Sequence, residues 1–296
     1  MITPTPPNQT TEGSALTPAE AAPTPRVVAV LGASSLVGYF LIPALQQAGW
    51  QVIGWSRAGA GSDLPQVIPY WICLAPLWVF PDYFVIAQRH GARRVVALSS
   101  TSIESKQHSC HVSDQRVVEQ LQQGEHALRQ WAEARGLEWI VLRPTLIYGA
   151  GRDRNVSEID RLIRRFGFFV LLGRGQGLRQ PVHAADVALA CQRALESTAF
   201  SGRIYNVTGG ERLTYRSMVE QIFRARGRKP RIYSIPLWWI VWVLRLLHFF
   251  PAYRHWHLGM VQRMESDLVF DGTPISRDLS VHPRPFDLQS FDLPDG

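Results

Sequence analysis

The stretch Arg26–Trp55, RVVAVLGASSLVGYFLIPALQQAGWQVIGW, decides the fold. A continuous apolar run, Val27–Leu31, leads into a glycine turn, then a segment with helically spaced apolar residues, then a second apolar run. Apolar runs that do not alternate with polar residues predict strands buried on both faces, as in parallel sheets. The stretch therefore predicts a strand, a helix and a second, parallel strand.

The same alternation continues to Pro144 through YWICLAP, PDYFVIAQRHG, RRVVALSS, a helix over about Ser113–Arg135, and LEWIVLRP. It predicts an α/β fold, a doubly wound parallel Rossmann sheet with a smaller, discontinuous C-terminal substrate lobe. We expect the dinucleotide-type domain over 26–150, with elements at about 181–207 returning to it, and the lobe within 151–296. The lobe is predicted to hold helices near 157–165 and 214–226 and a last element near DLVFD, 267–271.

The composition narrows the class of protein. The first 25 residues contain neither a basic residue nor an apolar run, which favours a disordered tail over a signal peptide. Cys73, Cys110 and Cys191 are isolated, as is typical of a reducing, cytoplasmic environment. The net charge is +7, but the one dense basic run, Arg224–Arg231, accompanies no nucleic-acid motif, so we predict no nucleic-acid partner.

The turn after the first strand has the spacing G-x-x-S-x-x-G at Gly32, Ser35 and Gly38. Such a turn brings the amides at a helix N-terminus against a pyrophosphate, with Ser35 either crowding the phosphates or donating its hydroxyl to them. The alternative is an inherited turn that binds nothing. Where an NAD enzyme carries an acid after its second strand, this chain has Ser56 and Arg57, which favours NADP(H) over NAD(H). The predicted cofactor-binding residues are Gly32, Ser34, Ser35, Leu36, Val37, Gly38, Ser56, Arg57, Leu74, Ala75, Ser99 and Pro144.

Further motifs follow in order: ALSSTS, LRPTLIYG, QPVHAADVA, YNVTGG and DLVFDGTPISRDLSVHPRPF. Together with the glycine turn, their order and spacing resemble the extended short-chain dehydrogenase/reductases of the NAD-dependent epimerase/dehydratase group, which act on nucleotide sugars. The resemblance spans about Arg26–Phe286. It implies a nucleotide or anionic sugar substrate and a homodimer formed through the long helices.

The resemblance also implies a catalytic serine and a Tyr-x-x-x-Lys pair on the long helix, where the tyrosine exchanges a proton with the substrate. Ser100 stands at the serine position, but the family register puts Val117 and Leu121 at the tyrosine and lysine positions. No tyrosine lies between Tyr83 and Tyr148. The chain is therefore similar to atypical members that retain the fold without the dyad. The short interval before YWICLAP further predicts that the family's third strand is short or missing.

Other polar groups are candidates to replace the dyad. The loop after Ser100 holds Lys106, His108, Cys110, His111 and Asp114, and a histidine is suited to acid–base work near neutral pH. We take Ser100, His108 and His111 as candidate catalytic residues, with a solvated loop as the alternative. The loop's spacing matches no standard zinc site, so no metal is predicted.

The predicted substrate-binding residues are Arg143, Tyr148, Arg179, His183 and Asp186. Four of them match family positions, and Arg179 is suited to clamp an anion. Two alternatives remain open: Arg143 forms a structural ion pair with a carboxylate such as Asp186, or Arg179 belongs to a solvated, glycine-rich loop.

The Trp-rich segment Ile235–Phe250 has two interpretations. The fourteen residues between Pro236 and Pro251 are too few to cross a bilayer, which takes about 20 apolar residues. The segment is either a helix of the substrate lobe or a contact to a membrane or a membrane complex beside the basic run. Three hypotheses for function follow: an NADP(H)-binding, weakly active or inactive oxidoreductase/epimerase relative; a nucleotide-stabilised accessory subunit of a membrane-associated redox complex; and an active enzyme using Ser100 and a loop histidine. A nucleotide-free scaffold is a further alternative.

Overall fold

A computed structural model describes residues 26–55, 64–107, 112–236 and 264–294. Its centre is a parallel six-stranded sheet of β1 (Val27–Leu31), β2 (Gln51–Trp55), β3 (Tyr70–Cys73), β4 (Arg94–Leu98), β5 (Glu138–Pro144) and β6 (Arg203–Val207). The strands lie in the order β6-β5-β4-β3-β1-β2. The predicted α/β, doubly wound parallel sheet is confirmed.

Helices cover both faces of this sheet. They are α1 (Leu36–Gln47), α2 (Phe84–Arg89), α3 (Val112–Glu133), α4 (Val156–Phe166), α5 (Ala184–Glu196), α6 (Tyr215–Ala225) and α7 (Thr273–Leu279). One-turn or 3₁₀ segments span Leu77–Tyr83, Ser102–Ser105 and Ser290–Asp292. One face of the sheet packs on α1 and α5, and the opposite face packs on α2 and α3.

The apolar runs of the central strands serve two cores at once. Successive residues of β1 alternate between them: Val28 and Val30 pack with α1 and α5, whereas Val27, Ala29 and Leu31 pack with the α3 side. All five residues of β1 and of β4 are buried. Full burial on both faces is the physical reason why these strands show no polar alternation.

The strand order reverses between β1 and β3. β2 pairs with one side of β1 and β3 with the other, so the chain crosses over the sheet between Trp55 and Tyr70. Within the described ranges no strand lies outside β2, which agrees with the expectation of a short or missing third strand. Ligands of doubly wound sheets bind at the carboxyl ends of the strands, next to such a switch point.

The smaller lobe forms around α4 and α6. The lobe also contains the antiparallel pair Leu178–Arg179 with Leu213–Thr214 and the parallel pair Phe169–Leu172 with Ile232–Ile235. The parallel pair Ile147–Tyr148 with Val182–His183 lies between the two cores, with Val182 in the core of the main sheet and Tyr148 in that of the lobe. Its core includes Ile159, Phe169 and Met218 together with Phe286 and Leu293 of the C-terminal segment. Helix α7, in contrast, packs on the core of the main sheet through Ile275 and Leu279.

The last element predicted near DLVFD does not lie on that stretch itself; α7 begins at Thr273, two residues after it. Residues 267–271, DLVFD, form neither a helix nor a strand. The Leu268 amide donates to the Leu178 carbonyl, and the Phe270 amide donates to the side chain of Gln180. Isolated bonds of this kind tie the segment to its neighbours without a continuous ladder.

Several predictions fall outside the described residues: the tail 1–25, the residues Ser56 and Arg57, the loop residues His108, Cys110 and His111, and the Trp-rich segment beyond Pro236. Within the ranges that are described, no helix is both long and apolar enough to cross a bilayer.

Candidate functional site

The predicted cofactor-binding residues of the described ranges lie at one edge of the sheet. Gly32, Leu74, Ser99 and Pro144 follow or end β1, β3, β4 and β5, whose registers place their carboxyl ends side by side. The Leu74 amide donates to the Leu31 carbonyl, 2.8 Å, and the Ser99 amide donates to the Leu142 carbonyl, 2.8 Å. This edge is the ligand-binding edge of doubly wound sheets.

The N-terminus of α1 points its amides at this edge. Ser35 is the N-cap, and its Oγ accepts a hydrogen bond from the Gly38 amide, 3.1 Å. The amides of Leu36 and Val37 have no hydrogen-bond partner among the described residues. The first turn carries no acidic residue. Two free amides and the positive end of a helix dipole form a suitable anion site.

Both glycines of the turn are required by close packing. Gly32 has φ +78°, and a Cβ there would lie 2.8 Å from the Ala75 amide nitrogen. A Cβ on Gly38 would lie 2.2 Å from the carbonyl oxygen of Ala33. The turn therefore brings β1, the end of β3 and the start of α1 to distances that only glycine permits.

A buried hydroxyl at the same edge lacks a partner. Ser99 Oγ is inaccessible and makes no hydrogen bond with any residue that the structure describes. Unpaired buried polar atoms are uncommon because each costs about 1–3 kcal/mol, and a bound polar group is one way to satisfy them. The free amides of α1, the two glycines and this hydroxyl are a set that fits a dinucleotide.

A cavity of about 570 Å³ opens beside the predicted catalytic serine, and we call it the Ser100 cavity. Ser100 Oγ donates to Ser102 Oγ, 2.9 Å, and accepts from the Ser102 amide, 3.0 Å. None of its described lining residues is acidic, whereas Lys106 and Arg179 are basic. The full lining is Ser100, Thr101, Ser102, Ser105, Lys106, Thr145, Leu146, Ile147, Asn155, Arg179, Gln180, Tyr215, Met264, Leu268 and Phe270.

Proton-bearing groups in this cavity come from outside the expected helix positions. The Lys106 ammonium pairs with Asp114 of α3, 2.9 Å. Tyr215, at the start of α6, lines the cavity as well; burial raises the pKa of its phenol, although the charge of Arg179 acts in the opposite direction. Helix α3 itself presents hydrocarbon at the dyad positions, with Leu121 buried.

Arg143 forms a structural ion pair instead of facing the cavity, and its predicted partner was wrong. Its guanidinium donates twice to Glu125 of α3, 2.9 and 2.6 Å, and once to Glu104, 3.1 Å. The hydrogen bond with Glu125 raises the pKa of Arg143. Asp186, the partner suggested by the sequence, is bound bidentately by Arg284.

Three further predicted substrate residues also lie away from the Ser100 cavity. Tyr148 is fully buried in the lobe core, its ring against His183 and Phe286 and its hydroxyl without a partner. His183 caps α5: its Nδ1 accepts from the Ala185 amide, so the proton on Nε2 is donated to Asp292, 2.9 Å. Of the predicted substrate residues, Arg179 alone lines this cavity, and the other four hold elements together.

The hydrogen bond between His183 and Asp292 makes the free energy of unfolding depend on pH. Burial disfavours the Asp292 carboxylate, but hydrogen bonds from His183 and from the Gln289 and Ala150 amides hold its pKa below the ordinary 3.8. A lowered pKa contributes stability above the unfolded value, and the contribution is lost as pH falls through the folded value. We expect wild type to be more stable than Asp292→Asn at pH 7, with the difference shrinking below about pH 4. Urea unfolding of both proteins from pH 7 to 3 measures this, and a constant difference would contradict the linkage.

Several residues that line the Ser100 cavity were not predicted from the sequence. Thr145, whose hydroxyl donates to the Gln180 carbonyl, and Gln180 itself stand directly next to predicted residues, but no spacing distinguishes them. Tyr215 follows Thr214, which caps α6 by accepting from the Ser217 amide, 3.0 Å. That capping signal was readable, yet the sequence does not show that the helix begins at the cavity.

Among the described residues, no three His, Cys, Asp or Glu side chains gather as a metal site.

The sequence pattern of the NAD-dependent epimerase/dehydratase family matches residues 84–208, from α2 to the end of β6. This segment carries Ser100, Arg143 and the carboxyl ends of three sheet strands. Over this segment, which is less than half of the chain, the protein is similar to the NAD-dependent epimerase/dehydratase family. Two solved structures share its fold. UDP-glucuronic acid 4-epimerase of Bacillus cereus, in complex with NAD, has a TM-score of 0.66 at 13% identity, over 90% of this chain and 95% of that one. UDP-glucose 4-epimerase of Thermotoga maritima, with UDP-glucose, has a TM-score of 0.63 at 16% identity, over 87% and 93%.

The curated relatives of this chain include a different kind of protein. Mouse NADH dehydrogenase [ubiquinone] 1 alpha subcomplex subunit 9, mitochondrial, is 28% identical over 158 residues, which are 53% of this chain and 41% of that protein. The rat protein of the same name is 28% identical over 156 residues, 52% and 41%. The match thus spans about two-fifths of the length of these relatives.

Proposed function

We propose that this chain binds NADP(H) in preference to NAD(H) at the turn Gly32–Gly38, and that it has lost the Tyr–Lys chemistry of its family. The observation that carries the proposal is the pair of unbonded amides, Leu36 and Val37, at the switch point of the sheet. A pyrophosphate there would accept from both amides. The orphan hydroxyl of Ser99 lies at the same edge. A bound nicotinamide would supply hydride transfer.

The NADP preference rests on Ser56 and Arg57, because a guanidinium binds a 2′-phosphate bidentately. Thermal unfolding with NADPH and with NADH tests both parts, since a ligand of the native state raises the apparent stability. We expect the larger rise with NADPH, and a reversal in Arg57→Asp. The matched control is Arg161→Gln, which removes an exposed helical arginine. No rise with either nucleotide would refute binding, whereas equal rises would refute the preference alone.

Loss of the dyad leads us to expect weak or absent turnover of nucleotide sugars. The competing candidate is an active site built from Ser100 and a loop histidine, His108 or His111. The Ser100 cavity supports that candidate, because Lys106 and Tyr215 line it beside the serine. Turnover with NADP that is lost in Ser100→Ala and in His108→Ala would establish the active alternative. Retention of turnover in both variants would exclude it.

A second candidate function is that of a nucleotide-stabilised accessory subunit at a membrane-associated redox complex, with peripheral membrane contact. The mouse relative is by name a subunit of NADH dehydrogenase. An aromatic patch on the lobe supports membrane contact: Leu162, Phe166, Phe168 and Tyr233 are 37%, 52%, 38% and 60% exposed. The guanidinium of Arg165 lies 5.2 Å from the Phe166 ring centroid, and the exposed Lys229 and Arg231 lead into the strand that carries Tyr233. Aromatic rings beside basic side chains suit an anionic headgroup layer.

Co-sedimentation with anionic phosphatidylserine vesicles tests the aromatic patch. We expect the double variant Phe166→Ser and Phe168→Ser to sediment less than wild type. Val85→Ser is the matched control. Val85 is 63% exposed, and it lies on α2, which packs on the main sheet and not in the lobe. Equal sedimentation of all three proteins would exclude this patch as the contact. Purification under gentle conditions tests the complex separately, and recovery without a large partner would count against it.

A further inference from the structure

The smaller lobe contains a second cavity, of about 530 Å³, which we call the lobe cavity. Its inner wall is hydrocarbon, with Ile159, Phe169 and Met218 all buried. Its polar lining side chains, Arg154, Asn155 and Glu158, are exposed. A cavity of several hundred Å³ with an apolar wall and polar groups at its exposed edge has the size and character of a small-molecule site.

The lobe cavity adjoins the Ser100 cavity. Leu146, Asn155, Tyr215 and Met264 line both, so the two spaces meet at these four side chains. At the other end, Phe166 and Phe168 line the lobe cavity and are themselves exposed. A polar chamber thus continues into an apolar one that opens at the aromatic patch.

The Ser100 end of this path is lined by basic side chains and hydroxyls. The Ser100 cavity presents Lys106 and Arg179 together with the hydroxyls of Ser100 and Tyr215, and none of its described lining residues is acidic. The cation of Arg179 donates to the carbonyls of Leu178 and Ser266, 2.7 and 2.8 Å, and its guanidinium lies 5.5 Å from the Tyr215 ring centroid. Lys106 also pairs with Asp114, which is not among the described lining residues, so the basic side chains and hydroxyls make this the polar end of the path, suited to an anionic group that hydrogen-bonds to them.

We propose that the joined cavities bind a single-chain amphiphile, whose anionic head lies by Lys106 and Arg179 and whose hydrocarbon chain lies in the lobe cavity. The chain passes Leu146, and apolar burial along Ile159, Phe169 and Met218 supplies the affinity. The inference deepens the proposed function by naming the ligand class of the Ser100 site. It rests on that function only for the presence of a dinucleotide beside the head group.

Calorimetric titration of the full chain with dodecyl phosphate, butyl phosphate and inorganic phosphate tests the proposal. Below micellar concentrations we expect one molecule of dodecyl phosphate to bind per chain, on the order of 100-fold more tightly than butyl phosphate, because each buried methylene adds affinity. Butyl phosphate and inorganic phosphate should differ little. Equal affinities for the long and short chains, or no binding of dodecyl phosphate, would overturn the proposal.

Two variants locate the chain. Leu146→Trp should narrow the junction and Val170→Trp should fill the lobe cavity, because both side chains are half-buried in its lining. Each should lower the affinity for dodecyl phosphate on the order of tenfold or more. Val170→Trp should leave butyl phosphate unchanged, because Val170 lines the lobe cavity and not the Ser100 cavity. Leu146→Met is the conservative control. Lys106→Gln should weaken both ligands. Unchanged dodecyl phosphate binding in both tryptophan variants would place the ligand elsewhere.

The rise in unfolding temperature with NADPH is measured on the same variants. A variant that retains this rise is folded, so its loss of dodecyl phosphate is specific. Absence of amphiphile binding with an intact NADPH rise refutes the amphiphile site alone. Absence of the NADPH rise with intact amphiphile binding refutes the dinucleotide site alone.

Discussion

Gly38→Ala should unfold at lower denaturant and lose its response to NADPH. In an open helix the same change stabilises by about 1 kcal/mol. Here the added Cβ would stand 2.2 Å from the Ala33 carbonyl oxygen, which is backbone and is held by the turn. Separating α1 from the turn costs about 1–3 kcal/mol, as in other overpacked sites. It also displaces the amides of Leu36 and Val37, so we expect the rise in unfolding temperature with NADPH to disappear.

The matched control is Gly136→Ala. Gly136 has φ +65°, and no heavy atom lies within 4 Å of the place that a Cβ would take, so the change costs only the left-handed backbone, about 1–2 kcal/mol. We expect Gly136→Ala to lose about as much stability as Gly38→Ala. Its unfolding temperature should still rise with NADPH. A Gly38→Ala protein that still responds to NADPH would show that the nucleotide does not depend on this turn.

Arg143→Met should cost about 3–5 kcal/mol of unfolding free energy, because it leaves a carboxylate buried without its partner. The side chain of Glu125 is 9% exposed and receives two hydrogen bonds from Arg143. Without them the charge of Glu125 has lost its main compensation inside the protein. Urea unfolding at pH 7 measures the loss.

Two further proteins separate this effect from a general one. Arg161→Gln breaks an exposed pair with Glu158, 54% and 56% exposed, and should cost less than about 1 kcal/mol. The double variant Arg143→Met with Glu125→Leu removes both charges and should recover most of the loss. If Arg143→Met were as mild as Arg161→Gln, the pair with Glu125 would not be a structural bond.

The local features of the turn Gly32–Gly38 were predictable from the sequence. The spacing of Gly32 and Gly38 between a buried strand and a helix depends on neighbours in the chain, and the structure shows that both positions tolerate no Cβ. Ser35 was predicted either to crowd the phosphates or to donate its hydroxyl to them, and this stays a prediction; in the structure its Oγ accepts from the Gly38 amide. N-cap bonds are local too, so this geometry was readable from a serine three residues before Gly38.

The fate of the polar residues after β5 was not predictable in the same way. Arg143, Tyr148, His183 and Asp186 match family motifs, yet their partners Glu125, Phe286, Asp292 and Arg284 come from distant parts of the chain. A motif identifies the residue type but contains no information about which remote group folds against it. The same holds for Tyr215, which reaches the Ser100 cavity from 115 positions further along the chain.

By itself the sequence determined the parallel sheet, the glycine turn after β1 and the lack of a Tyr–Lys pair on the long helix, because these depend on residue type and on spacing within one strand or helix. Only the tertiary structure decided that four of the five expected substrate residues hold elements together and that a polar cavity continues into an apolar one. Ion pairs and cavities are formed by segments that are remote in the chain, so their existence depends on how the packed elements meet.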